Sequence, residues 1–205
     1  MVSATDLRGQ LAGRRKQRHL AVPPWQFPLL SSFAPDRTVL AFDATLSHCG
    51  WVLLTVSEGQ VFIHGRSTIS PVTERRSFLE TWDKAARLRE ELDVLRTALE
   101  FRGYQVAVEA PSVGGGHRTE SSLIAGTLVH LAWPDVVPVH VAHISSLLTG
   151  DGRMASEQRK PAIRKAVSLL VPEAAGRTWN EHQRDAVAVG LTWLHDIQER
   201  AREQS

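Results

Sequence analysis

The sequence predicts an α/β fold: a mixed five-stranded sheet with helices on both faces. Three observations carry this. Three β-prone apolar runs, at Thr38 to Asp43, Gly50 to Val56 and Val61 to Ile69, follow one another across short polar turns, the pattern of an antiparallel meander. The period then changes, and Phe78, Trp82, Ala85, Leu88, Leu92, Leu95 and Leu99 recur at steps of three or four, which reads as a long amphipathic helix. Beyond it, strand-like and helix-like segments alternate, which requires parallel crossover connections.

The chain in order gives the element sequence β-β-β-α-β-α-β-α-α. The first helix begins near Thr73 and stops at Gly103, a residue suited to the position just past a helix end. The fourth strand is Tyr104 to Glu109, followed by the loop APSVGGGHRTE and a helix from about Glu120 to Ala132. The fifth strand is Val136 to Val141, and Pro138 inside it argues for a sheet edge, where a missing N–H does no harm. A loop with Gly150 and Gly152 leads to a helix starting near Lys160, with Pro161 in its first turn. Asn180 caps the last helix, which buries Val187, Leu191, Leu194 and Ile197. Trp51, Trp82 and Trp193 stand at core-like spacing and read as packing residues.

Length and composition bound the answer. At 205 residues, 42% apolar and 22% charged, the chain suffices for one good core with a tail left over. The single cysteine, Cys49, excludes a disulfide framework or a cysteine-rich zinc site within one chain and fits a reducing, cytoplasmic setting. No apolar run approaches the ~20 residues that cross a bilayer, and no secretory h-region follows the basic start, so no membrane association is expected.

The net charge of +2 hides an asymmetry. Residues 1–37 carry six Lys/Arg against two acids, a net of +4, and residues 38–205 carry eighteen against twenty, a net of −2. Residues 1–36 therefore read as an arm apart from the domain at 37–205. With GRRKQRH followed by VPPWQFPLL, the arm suits a tail, a basic segment that follows a phosphate backbone, an apolar strap, or a transit peptide.

The chemistry-bearing residues are acids at strand ends. Asp43 closes the first strand, Glu109 closes the fourth, and Asp185 lies near the start of the last helix in NEHQRDA. If strand four lies parallel beside strand one, Asp43 and Glu109 project from neighbouring carboxyl ends, where α/β sheets usually carry their chemistry. Three carboxylates a few ångströms apart raise each other's pKa unless cations neutralise them. Hard oxygen donors without thiolates suit Mg²⁺ or Mn²⁺, and a pair of such ions stabilises the attacking and leaving oxygens of a phosphodiester displacement. His182, three residues before Asp185, shares its helix face and suits a metal ligand, a water-positioning group or a helix-end residue. From Arg153 to Lys165 the residues Arg153, Arg159, Lys160, Arg164 and Lys165 stand against Glu157 alone, a local +4 suited to phosphate, with Lys160 the choice for a charge near the scissile group.

On these residues the chain resembles the RuvC family of Holliday-junction resolvases, within the RNase H-like nuclease superfamily. The similarity rests on Asp43 and Gly50 in FDATLSHCGW, Glu109 in VAVEAP, His182 and Asp185 in NEHQRDAVAVG, and KPAIRKAVSLL as a basic helix start, and it spans about Thr38 to Leu194. The resemblance implies an RNase H-like fold and a homodimer that cuts branched DNA, four-way junctions above all, with Mg²⁺ or Mn²⁺, two ions per site. Asp43, Glu109, His182 and Asp185 would be catalytic and metal-binding, with Lys160 beside them. It further implies that the helix after the Glu109 strand joins the dimer interface and that the loop before it probes the junction. That loop, PSVGGGHRT, lacks the aromatic wedge of better-known members and offers His117 and Arg118 instead; a second lysine expected near Leu147 to Thr149 is absent. Flaps, forks and RNA–DNA hybrids stand as alternative substrates, and a non-cleaving nucleic-acid-binding module as an alternative class. An actin-like phosphotransferase, which also opens on an Asp hairpin, needs a second phosphate hairpin and far more chain.

Overall fold

The computed structural model describes residues 38–57, 60–71, 80–99, 104–111 and 116–203. The arm at 1–36, the loop residues 112–115 and the stretch 72–79 lie outside them, as do the side chains of His117 and Arg118.

Five strands form one sheet: β1 (Thr38–Ala44), β2 (Cys49–Ser57), β3 (Gln60–Ile69), β4 (Gln105–Ala110) and β5 (Val137–His140), in the order β3-β2-β1-β4-β5. β2 runs antiparallel to β1 and β3, whereas β4 is parallel to β1 and to β5. β5 is an edge strand, so Pro138 removes no donor that a further strand would need, as its sequence position implied.

The helices are α1 (Glu80–Leu99), α2 (Gly116–Ala132), α3 (Val141–Thr149), α4 (Ser156–Leu170) and α5 (Glu181–Glu203), with a 3₁₀ turn at Pro172–Ala175. Leu40, Phe42, Leu53, Val106 and Val108 pack on one face of the sheet with Leu88 and Leu92 of α1 and Ala125 and Val129 of α2. Val39, Ala41, Val52, Leu54 and Ala107 pack on the other with α3, α4 and α5. The period of two along β1 and β4 makes this division.

Four sequence expectations need correction. α3 is a helix that the sequence does not announce: VAHISSLLT follows β5 with no breaker between them and reads as more of the same apolar run. α2 starts at Gly116 and α4 at Ser156, each four residues earlier than expected. Pro161 is consequently in the second turn of α4, on its exposed side, where water can satisfy the carbonyl its ring leaves unbonded. Trp82 is 73% exposed, not core. At 3.6 residues per turn, the two steps of three from Trp82 to Leu88 accumulate a drift, leaving Trp82 roughly 100° off the Leu88–Leu92–Leu99 stripe. Trp193 is buried as expected, its indole N–H donating to Gln105 Oε1 at 3.1 Å.

Candidate active site

Residue alternation builds the site before any side-chain contact is considered. Val39 and Ala41 face α5, so Asp43, two further along β1, points the same way. β1 pairs with β4 as Phe42 with Val108, which sets Asp43 level with Glu109; Ala107 faces α5, so Glu109 does too. Both acids therefore leave the carboxyl ends of adjacent parallel strands toward the helix that carries His182 and Asp185.

α5 is held there by its own start. Asn180 Oδ1 accepts from the Gln183 N–H at 3.0 Å, and Gln183 Oε1 accepts from the Asn180 N–H at 3.3 Å, a reciprocal cap. Arg66 of β3 donates to Gln183 Oε1 at 2.8 Å and lies 4.2 Å over the Trp179 ring, while Asn180 Nδ2 donates to Thr68 Oγ1 at 2.8 Å. Along the helix Gly190 sits over Leu54, Ala41 and Val39, where an added Cβ would meet side-chain carbons at 3.0 to 3.3 Å. At its start the fit is tighter. A Cβ on Gly50 of β2 would lie 2.3 Å from the His182 carbonyl oxygen, so only glycine allows the strand to abut the helix there.

The acids line a cavity of about 70 Å³ together with Arg159, Lys160, Ile163, Val141, Ile144 and Ala188. That volume admits a few water-sized groups. Burial, then the charges of Asp43 and Asp185, push the Glu109 carboxyl up to about 8 against the opposing pull of Lys160 and Arg159. Burial, then Asp43, raise Asp185 to about 6, with Lys160 and Arg164 pulling the other way. Lys160 Nζ stands 3.8 Å from Asp185 Oδ2.

His182 is bound to Asp43, Nδ1 to Oδ2 at 2.7 Å. An ionised carboxylate only accepts, so Nδ1 carries the hydrogen and Nε2 is the nitrogen left for other work. That bond raises the imidazole's pKa; partial burial opposes it, and the charges of Asp43, Glu181 and Asp185 add to the rise. Glu181 Oε1 lies 3.8 Å from His182 Nε2, and its other oxygen takes a hydrogen bond from Arg164. On the open side the His48 ring lies parallel to that of His182, centroids 5.0 Å apart and planes within 3°.

The structure thus brings together Asp43, Glu109, His182, Asp185, Arg159 and Lys160, with Arg164 bonded to Glu181 beside them. Arg153 and Lys165 are exposed on the same stretch and do not line the cavity. Glu181 and His48 escaped sequence reasoning. Glu181 adjoins His182 in NEHQ, which was a signal of a kind; His48 had none, since nothing local shows that a hairpin turn faces the start of the last helix.

As the side chains stand, no three His, Cys, Asp or Glu groups among the described residues converge on a point that could hold an ion. Asp43 is turned to His182 and Asp185 toward Lys160. The chemistry of the donor set nonetheless fits a hard divalent cation: three carboxylates on one small cavity, two held far above their ordinary range by burial and mutual repulsion, a strain a cation relieves.

Neither a protein-family model nor a curated protein matches this sequence. Solved structures do. Thermus thermophilus RuvC aligns with a TM-score of 0.62 at 18% identity, over 79% of this chain and 96% of that one. T. thermophilus RuvC in complex with Holliday junction substrate aligns with a TM-score of 0.60 at 19% identity, over 80% and 96%. The yeast mitochondrial Holliday junction resolvase Ydc2 aligns with a TM-score of 0.56 at 9% identity, over 84% and 86%. The chain has the fold of these RuvC structures, a mixed five-stranded sheet with helices on both faces, as the resemblance implied.

Proposed function

We propose that this chain is a metal-dependent endonuclease selective for branched DNA, four-way junctions first among its substrates. The observation that carries this is the convergence of Asp43, Glu109 and Asp185 with Lys160 and Arg159 on one cavity at the carboxyl ends of β1 and β4. The fold is shared with a protein described as a Holliday junction resolvase and with a RuvC solved in complex with Holliday junction substrate.

In this reading Asp43, Glu109 and Asp185 hold Mg²⁺ or Mn²⁺, two ions per site, with His182 Nε2 as a further donor or as the group that orients water. Ions held there would supply Lewis-acid activation of water and neutralisation of charge on the phosphate. Asp43 keeps His182 in one tautomer through Nδ1, leaving Nε2 unprotonated when the ring is neutral. Lys160 and Arg159 draw a phosphate to the cavity mouth, and Arg164 changes partner from Glu181 to phosphate. Substrate affinity comes from such backbone contacts and selectivity from junction shape. DNA recombination and repair in the cytoplasm of a bacterial or phage-infected cell is the setting this activity suits.

A symmetric junction calls for two sites, and we propose a homodimer joined through α2. In support, Leu123 and Leu131 on that helix are 56% and 54% exposed. The test of the function is incubation of the purified chain with labelled four-way junction, fork, flap, RNA–DNA hybrid and linear duplex, with Mg²⁺, with Mn²⁺ and with chelator. Paired nicks confined to the junction, dependent on a divalent ion, are expected. Cleavage of a different substrate reassigns the activity within the fold; binding without cleavage makes the chain a recognition module.

A further inference from the structure

His48 has no role in the mechanism above, yet its ring touches the site. It ends the turn between β1 and β2, and that turn is braced. The Thr45 hydroxyl donates to the His48 carbonyl at 2.8 Å and accepts from the His48 N–H at 3.1 Å, while the Thr45 N–H donates to the same carbonyl at 3.3 Å. The Leu46 N–H donates to Ser121 Oγ at 3.0 Å, tying the turn to α2. Two residues past His48, Gly50 abuts the His182 backbone with no room for a methyl group. The hairpin therefore has no slack where it delivers His48 to His182.

The two rings lie parallel with centroids 5.0 Å apart, within the range of offset stacking. A single hydrogen bond from Nδ1 to Asp43 fixes one atom of the His182 ring but lets the plane swing about it. A flat neighbour on the ring's face removes that swing. We propose that His48 is a positioning residue: it acts as a platform that holds the His182 ring in the plane in which Nδ1 engages Asp43 and Nε2 is presented beside Glu181. The platform requires a ring face and not ring nitrogens. Its consequence for turnover rests on the endonuclease reading; the ring geometry does not.

The test compares the full chain with His48→Ala and His48→Phe, substitutions at an exposed turn position, with folding verified by circular dichroism. Nitrogen-15 spectra of the imidazoles in the metal-free protein, above the pH at which His182 titrates, report its tautomer; a His182→Gln variant assigns the signal among the nine histidines. We expect one Nδ1–H tautomer in the parent, averaged ring shifts in His48→Ala, and the parent pattern regained in His48→Phe. On four-way junction with Mn²⁺, His48→Ala should lose about tenfold in kcat with little change in KM, since misplacing a reacting group by about 1 Å can cost ~10²-fold, and His48→Phe should recover most of it. An unchanged His182 spectrum in His48→Ala overturns the proposal. So does an equal loss in both variants, which would mean that the nitrogens of His48 matter. If the parent cuts no nucleic acid, the endonuclease reading falls while the ring spectra still decide the role of His48.

Discussion

Asp43 and His182, 139 residues apart in the chain, are joined by a 2.7 Å bond from Nδ1 to Oδ2. It couples the end of β1 to the first turn of α5 and makes one acid of the cavity the partner of its histidine. The bond also raises the pKa of His182. A ring that must accept through Nε2 works only when neutral, so cleavage should fall as pH drops through a midpoint above the ordinary 6.5. His182→Ala should lose about 10²-fold or more with either ion, the usual weight of a positioned acid–base group. His182→Asp should raise activity with Mg²⁺ relative to Mn²⁺ by exchanging nitrogen for hard oxygen. A pH–rate profile of each variant checks this; an acid limb that persists unchanged in His182→Ala removes the residue from the mechanism.

The buried acids make metal-free stability depend on pH in a definite direction. Glu109 titrates near 8 in the folded chain against an ordinary 4.5, and Asp185 near 6 against 3.8. Between each pair of values the folded state binds more protons than the unfolded, so stability falls as pH rises from about 4 to about 8. Glu109→Gln should flatten the upper part of this decline and raise the melting temperature at pH 8 in chelator, while abolishing cleavage. Asp43→Asn and Asp185→Asn should likewise abolish cleavage and leave junction binding largely intact. Adding Mg²⁺ or Mn²⁺ at pH 8 should stabilise the parent and not the Glu109→Gln variant to the same extent. Thermal melts across pH, with and without ion, are the measurement.

Two glycines should respond oppositely to the same change. Gly50→Ala places a methyl group 2.3 Å from a backbone oxygen, and relief requires moving β2 or α5. A loss of about 1–3 kcal/mol or more is expected, with cleavage reduced as His182 shifts. Gly126→Ala on α2 meets nothing within 4 Å and should gain roughly 0.5–1 kcal/mol from the helix preference of alanine. Denaturant unfolding of both variants tests the pair.

Phosphate contacts by Arg159 and Lys160 should register in salt dependence. Each lost contact lowers the slope of log affinity against log salt by roughly 0.9 on duplex DNA, so Lys160→Ala and Arg159→Ala should each flatten it by about that amount. Lys165→Ala, outside the cavity lining, should change it less. Deleting residues 1–36 asks the same of the basic arm, and an unchanged slope would leave it a tail.

The proposed dimer should depend on the exposed face of α2. Leu123→Glu adds a charge at a position 56% exposed in the single chain, so it costs the fold little. Sedimentation should show a dimer for the parent and a monomer for this variant, which would nick junctions singly. A parent that sediments as a monomer at micromolar concentration on junction DNA rules the α2 interface out.

Much of the architecture is legible in the sequence. Strands announce themselves through alternation and β-branched runs, and the acids stood at strand ends because a buried strand can carry a carboxylate only where the core opens. Pro138 marked an edge, and Asn180 a helix start, for equally local reasons. The errors were local as well. α3 continues an apolar run with no punctuation from β5, and Trp82 kept the step of three while drifting off the stripe that Leu88 and Leu92 define.

Which residues could do chemistry, and which backbone elements bear them, is written locally in the chain, because period, caps and turns act over a few residues. Which of those groups meet depends on packing between distant segments. Asp43 faces Glu109 through strand register, His182 through the packing of α5, and His48 lies on His182 because Gly50 lets a hairpin touch a helix turn. The pKa of Glu109 follows from the same source, since burial and the charges of Asp43 and Asp185 are properties of the assembled cavity and of no single segment.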